Sequence, residues 1–352
     1  MPITYKCPGC GSVMAFDGAS GMLKCSNCGN TITVDDYEAR YKKQSEAESK
    51  SQEAEKEERG QAKQMKIYHC QSCGAELLAD EFTSATFCSY CGNSTLIEDR
   101  FNNEFKPDRV IPFKIDRNEA VEIYRAWLKK GILTPKTLSS SSTIEKISGV
   151  YVPFWLYDYQ SESQMHAHTR NIRIEHRGDT EYEYTDHFQV YRDVAARFEK
   201  IPADASEKMP DDAMDKLEPY DYADMTEFNY GYISGYLSER YNYEAGDIEE
   251  RARARADRYI TEITRDTIRG YDSVEVENNN TSNNWIGTEY ALMPVWMLNY
   301  RFAGKDFSFF LNGQTGKIVA DRPVSNGRTA IFALCAFAIT FIITMFGGLF
   351  FV

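Results

Sequence analysis

Residues 5–29 read YKCPGCGSVMAFDGASGMLKCSNCG, with Cys7, Cys10, Cys25 and Cys28 set as two C-x2-C pairs 14 residues apart. Zinc favours a tetrahedron of four thiolates, and each C-x2-C turn presents two sulfurs from one compact knuckle. Gly11 and Gly29 follow the knuckles, where a residue tolerant of positive φ lets backbone N–H groups turn toward the sulfurs. The stretch is predicted to be a zinc ribbon. The same spacing returns at Cys70, Cys73, Cys88 and Cys91, each 63 positions after its counterpart, with Gly74 and Gly92 behind the knuckles. Two structural zinc ions are therefore expected, one in each quartet. Four protein thiolates fill each site and leave no coordination position for a water nucleophile.

The opening MPITYKCPGC has no apolar run of the kind that directs secretion. Eight of the nine cysteines lie in C-x2-C pairs, which read as metal ligands in a reducing compartment rather than as disulfides. The formal net charge of −13 argues against a polyanionic partner. Residues 67–97 contain no Lys or Arg, and the first ribbon sets only Lys6 and Lys24 against Asp17. Phosphate binding needs cations that displace counterions, so nucleic acid is not the expected partner and docking to protein is favoured.

Outward from the ribbons the chain divides into five pieces. Ribbon 1 occupies 1–35 and ribbon 2 occupies 67–99. Residues 36–66 between them are dense in Glu, Lys, Gln and Ala, the composition of a solvated, partly helical spacer. Such a spacer would carry ribbon 1 outward by about 45 Å. Residues 104–324 mix strand-like runs (149–160, 180–194, 290–304 and 305–323) with helical patterns at 116–131 and 245–270. These do not alternate regularly, so the predicted class is α+β, a strand-rich domain with an antiparallel sheet. ENNNTSNNW (277–285) reads as an exposed loop.

The last piece, 329–352, has no charged side chain. As a helix it would span roughly 36 Å, enough for a hydrocarbon core of about 30 Å. Lys317, Arg322 and Arg328 precede it and by the positive-inside tendency place the bulk of the chain in the cytoplasm. The expectation is a tail-anchored, single-pass transmembrane helix in the inner (plasma) membrane.

Other constellations are weaker. His166 and His168 share one face of a strand but lack a third ligand nearby. NGQTGK (312–317) fails the Walker A spacing and reads as a hairpin turn. Arg251, Arg255, Arg258, Arg265 and Arg269 form a helical stripe that meets anionic headgroups or, with neighbouring acids, makes ordinary salt bridges. No catalytic motif is present, so no catalytic residue is assigned.

The two quartets, GVYVPFWLYDY (149–159), LEPYDYADM (217–225), GYISGYLSERYN (231–242) and LMPVWMLNYRFAGKDFSFFLNGQTGK (292–317) resemble a bacterial family of membrane-anchored double zinc-ribbon proteins. This is the TFIIB-type zinc-ribbon, YdjG-like family, sometimes given a helicase-like label. The resemblance implies a cytoplasm-facing membrane platform working with a second membrane protein and with flotillin-like or phage-shock proteins in envelope stress. It implies no catalytic residues. The function expected from sequence is thus a non-enzymatic membrane adaptor that uses structural zinc ribbons to recruit protein partners. The alternative is a membrane-associated nucleic-acid-binding protein.

Overall fold

The structure, a computed structural model, describes residues 5–40, 66–69, 76–79, 83–87, 94–96 and 106–347. Ribbon 1 is an antiparallel sheet of β1 (Met14–Asp17), β2 (Met22–Cys25) and β3 (Thr31–Ile32). Met14, Phe16, Leu23 and Cys25 are buried while their neighbours are more exposed, the two-residue period of a strand with one covered face. A helix, α1, follows over 34–40.

In the second repeat the backbone shows β4 (Lys66–His69) paired with β5 (Glu76–Ala79), and β6 (Thr83–Phe87) paired with β7 (Ser94–Leu96). Displaced by the 63-residue repeat, β1, β2 and β3 fall on or next to β5, β6 and β7.

The larger part is built around three very long strands. Short β8 (Arg109–Val110), α2 (Arg117–Lys129) and α3 (Ser141–Ile144) lead into β9 (Ser148–Arg177), which turns at Gly178 into β10 (Thr180–Asp204). Next come α4 (Asp211–Leu217), β11 (Thr226–Glu227), α5 (Tyr230–Ile233), β12 (Leu237–Glu239) and α6 (Glu249–Asp266). The chain then runs through β13 (Ser273–Phe302), β14 (Lys305–Asn312), β15 (Ile318–Ala320) and α7 (Asn326–Gly347). β9 lies between β10 and β13, antiparallel to both. Two short pairings, β12 with β9 and β13 with β8, are parallel. The β6–β7 hairpin joins this sheet through β12.

Both faces of β9 are covered near its start. Val150, Val152, Phe154 and Leu156 pack with Met214, Leu217 and Tyr220 on the α4 side. On the opposite face Tyr151 packs with Phe113, Tyr124 and Trp296, and Tyr157 and Tyr159 meet Ala252 and Ala256 of α6. Burial of side chains this size contributes roughly 1.5–3 kcal/mol each. Farther along, Ser161, Ser163, Met165, Ala167 and Thr169 stay buried while Glu162, Gln164 and His166 face solvent. α2 starts as its sequence pattern directs: Asp116 caps it, its carboxylate accepting from the Glu119 N–H at 2.8 Å.

Three expectations are corrected. Residues 277–285 are strand, not loop: they lie within β13 and pair with β9. Their inward side chains bond to α6 and β9. Asn279 donates to Thr261 at 2.9 Å, Thr281 donates to Asp257 at 2.7 Å, and Asn279 accepts from Ser163 at 2.7 Å. This polar layer compensates for asparagine's poor strand propensity.

The spacer does not hold ribbon 1 away, because ribbon 1 rests on the large domain. Tyr5, Met14, Phe16, Leu23 and Val34 share one hydrophobic cluster with Phe113, Ile233, Tyr236 and Trp296. The spacer's residues 41–65 lie outside the described residues.

Third, among the described residues no helix is long and apolar enough to cross a membrane. That overturns the C-terminal transmembrane helix, and with it the tail-anchored, single-pass inner-membrane localisation. α7 opens with Asn326, Gly327, Arg328 and Thr329, and its unbroken apolar run, 330–339, ends at Thr340. Beyond the polar start the described helix has 18 residues, a rise of about 27 Å, short of a hydrocarbon core of about 30 Å. Residues 348–352 lie outside the described residues. The helix start is tied to the loop after α2, since Ser325 N–H donates to Leu133 and Arg328 donates to Ile132. Its Ile331, Phe332, Leu334 and Phe337 are exposed.

Candidate metal centre

The ligand atoms of Cys7, Cys10, Cys25 and Cys28 all lie within 4.8 Å of one another. Cys7 and Cys28 are 3.5 Å apart and Cys10 and Cys25 are 3.6 Å apart. A tetrahedron with metal–sulfur bonds of about 2.3 Å needs sulfurs about 3.8 Å apart, so four thiolates here could hold one metal ion. Among the described residues no other group of three or more His, Cys, Asp or Glu side chains could do so. Cys70, Cys73, Cys88 and Cys91 lie outside the described residues.

Two matching turns build the site. Gly11 N–H donates to Cys7 O at 2.8 Å, and Gly29 N–H donates to Cys25 O at 3.0 Å. Both glycines have φ above +70°, a conformation a Cβ would strain. The Cys7 N–H donates to Ser12 O and the Cys25 N–H to Asn30 O, at 2.7 and 2.9 Å.

Electrostatics set the thiols of Cys7, Cys10 and Cys28 apart. Cys10 is lowered to about 6, first by the Ser12 backbone N–H and then by the Ser12 hydroxyl and the Cys28 and Asn27 side chains. Cys7 is also lowered: burial opposes its thiolate, but the N–H groups of Gly9 and Cys10, with Cys28 and Asn30, outweigh burial. The Asn30 N–H favours the Cys28 thiolate as well, yet Cys10, Cys7 and Cys25 around it push this thiol up to about 12. A divalent cation that binds among these crowded sulfurs displaces the protons they retain. Cys7 and Cys25 are buried, whereas Cys10 and Cys28 are exposed.

Sequence reasoning missed the groups that support the sulfurs. The Asn27 amide donates to Cys10 Sγ and the Asn30 amide to Cys7 Sγ, each at 3.7 Å. Their signal was asparagine inside or just after the second knuckle, CSNCGN. It also missed the seat for ribbon 1. Phe16 N–H donates to Ser234 O at 2.8 Å, Ser234 Oγ donates to Met14 O at 3.0 Å, and the Phe16 and Tyr232 rings meet edge-on at 5.2 Å.

The other candidates resolve into structure. His166 and His168 do not meet. His166 lies against Tyr191, and His168 Nε2 is 3.1 Å from Nδ1 of His187 on the neighbouring strand. Arg251 pairs with Asp204, Asp211 and Asp215 at 3.0–3.3 Å, and Arg255 forms a two-pronged pair with Glu218. That part of the stripe faces carboxylates of β10 and α4 and the Glu218 beyond it. NGQTGK is the β14–β15 turn. Asn312 accepts from the N–H groups of Gln314 and Thr315 and donates to Leu217 O, while Gln314 donates to Asp221 O.

A cleft of about 660 Å³ lies between ribbon 1 and the large domain. Lys24, Asp17, Arg117 and Glu145 stand on its walls, with Tyr236 and Trp296 among its aromatic lining. Lys24 approaches Asp17 at 4.0 Å, and Arg117 donates to the backbone carbonyl of Glu145.

No protein-family model matches the chain, and no solved structure does. Over 330 residues the chain is 39% identical to the uncharacterized protein YdjG of Bacillus subtilis (strain 168), an alignment covering 94% of this chain and 93% of that protein. At that identity and coverage, the chain belongs to the YdjG family.

Proposed function

We propose that the chain is a non-enzymatic adaptor that holds structural zinc in both cysteine quartets and recruits protein partners. The observation that carries this reading is the closed set of four thiols at Cys7, Cys10, Cys25 and Cys28, two of them packed into the core shared with the large domain. A site closed by protein ligands and built into a core stabilises a fold and leaves no room for a substrate on the metal. All-sulfur tetrahedral sites select zinc or iron–sulfur chemistry, and two C-x2-C knuckles per ion suit zinc.

A protein partner is supported by large apolar side chains exposed on the long strands. Ile172 and Ile174 share one face near the β9–β10 turn, and Tyr182 lies on the other face. Trp285 and Ile286 lie apart from them at the bulge in β13 opposite Tyr159. The neighbouring Ile172 and Ile174, held in solvent on one face, make an apolar contact point of the kind interfaces use.

The test is metal analysis of the purified chain followed by a crosslinked pull-down. Native protein is compared with an Ile172→Asp/Ile174→Asp variant and a Cys10→Ser/Cys28→Ser variant. Two zinc ions per chain and protein partners lost from the hairpin variant are the expected results. Absence of zinc refutes the metal assignment. Recovery of nucleic acid alone transfers the function to the nucleic-acid reading.

A further inference from the structure

We infer that metal binding by Cys7, Cys10, Cys25 and Cys28, and closure of ribbon 1 onto its seat at residues 229–236, are one coupled equilibrium: losing the metal releases the ribbon and uncovers the seat. This rests on the reading that the quartet is loaded with metal.

One ligand, Cys25, ends β2, and the docking contacts Met14 and Phe16 stand on β1, the strand paired with it. β1 supplies Met14 O and the Phe16 N–H to Ser234, and Met14 stands directly opposite Cys25 in the β1–β2 register. Cys7 and Cys25 are themselves buried in the cluster that contains Ile233, Phe113 and Tyr236. Besides α1, which Tyr37 ties to the Lys6 backbone, the unit has little scaffold of its own. Its strands are four, four and two residues long, and hairpins this short are marginal in water without further support. In such units the free energy of metal binding is folding free energy.

The seat is shaped for close approach. A Cβ at Gly231 would lie 2.5 Å from Cγ1 of Val34, and a Cβ at Gly18 would lie 2.7 Å from the Phe113 carbonyl oxygen. Tyr5 reaches the same place from the ribbon side, its hydroxyl donating to Asn229 Oδ1 at 3.4 Å. When the ribbon leaves, Ile233, Tyr232 and Tyr236 lose the cover that Phe16, Val34 and Met14 provide.

Coupling between two equilibria is reciprocal. If the metal strengthens docking, docking strengthens metal binding by the same factor. A substitution on the seat, some 200 positions from every ligand, must then weaken the metal.

The full chain is loaded with Zn2+ and titrated with a chromogenic chelator as native protein, as Gly231→Val and as Gly18→Val. These variants obstruct the contact from its two sides and leave all four cysteines in place. Each is expected to bind Zn2+ about tenfold more weakly at the first quartet, within the usual range of such couplings. Hydrogen exchange on the native chain before and after chelation supplies the second readout. The Phe16 and Tyr236 amides are expected to lose protection, while the β9–β10 amides around residues 159–169 keep theirs.

Unchanged Zn2+ affinity in both variants overturns the coupling, as does protection at Phe16 that survives chelation. Protection lost throughout β9 and β10 also overturns it, since the metal would then hold the whole fold rather than a local clasp. A native chain that takes up no metal defeats the metal assignment itself, and the metal analysis of the same sample tells that failure from the others.

Discussion

Ser234 holds Phe16 by its backbone and Met14 by its side chain: its carbonyl accepts the Phe16 N–H at 2.8 Å, and its hydroxyl donates to Met14 O at 3.0 Å. Three residues on, Leu237 begins β12, where Ser238 pairs with Ala85 of the second repeat on one side and Tyr151 of β9 on the other. The segment 231–239 therefore seats the first ribbon with one half and splices the second repeat into the central sheet with the other. Both repeats are parts of the body of the molecule.

The Ser234 hydroxyl is buried, so removing it leaves Met14 O without its partner in a place water does not reach. Ser234→Ala is expected to cost about 1–2 kcal/mol, concentrated in ribbon 1. Equilibrium denaturation monitored at ribbon 1 checks this. An unchanged midpoint would show that the contact contributes nothing to docking.

Asn27 and Asn30 aim their amides at Cys10 and Cys7. Donors of this kind orient a ligand and spread its negative charge, and their removal commonly costs 10- to 100-fold in metal affinity. Asn30→Ala is expected to lose the larger part of that range, because its sulfur partner is buried and has less solvent to substitute. Asn27→Ala, beside the exposed Cys10, is expected to lose less. Chelator competition on the two variants gives the order, and the reverse order would refute the burial argument.

The quartet was legible because four ligands in 22 residues form a local pattern. α2 was legible for a similar reason: Asp116 as its cap and a stripe through Ala120, Trp127 and Leu128 are written within one helix. The long strands were not. Ser161 to Thr169 alternates cleanly, but 277–285 is so rich in asparagine that only its partners on β9 and α6 make it a strand. The seat of ribbon 1 joins residues about 220 apart largely through backbone groups that every sequence carries. Composition misled at the C-terminus, where freedom from charge suggested a span that the described helix does not provide.

Asn312 is fully buried at the head of the β14–β15 turn. It donates to Leu217 O at 3.0 Å and accepts from the N–H groups of Gln314 and Thr315, both at 2.9 Å. That side chain buttons the turn onto the end of α4. Asn312→Ala strands the Leu217 and Pro219 carbonyls and two N–H groups and is expected to cost about 2–4 kcal/mol. The shift should appear in the denaturant midpoint with the slope unchanged. Asn312→Asp keeps the acceptor but sets a buried carboxylate oxygen against the Leu217 and Pro219 carbonyls, so at neutral pH it should cost at least as much as Ala.

Asp204 is the group whose titration should be visible in the stability of the fold. Its carboxylate is buried, with Oδ1 3.0 Å from Arg251 and Oδ2 without a hydrogen-bond partner. Arg251 divides its charge among Asp204, Asp211 and Asp215. Burial therefore prevails over the Arg251 pairing, and Asp204 is raised from 3.8 to about 6. The folded state binds this proton more tightly than the unfolded state, so the stabilising contribution is complete below pH 3.8. It declines as pH rises and is gone above about pH 6. The width of that window corresponds to at most about 3 kcal/mol. Asp204→Asn keeps the side-chain size and cannot titrate. The stability of native protein minus that of the variant, measured by denaturation from pH 4 to pH 7, should fall across the window. A difference that stays flat or rises would mean that Arg251 keeps the carboxylate charged throughout.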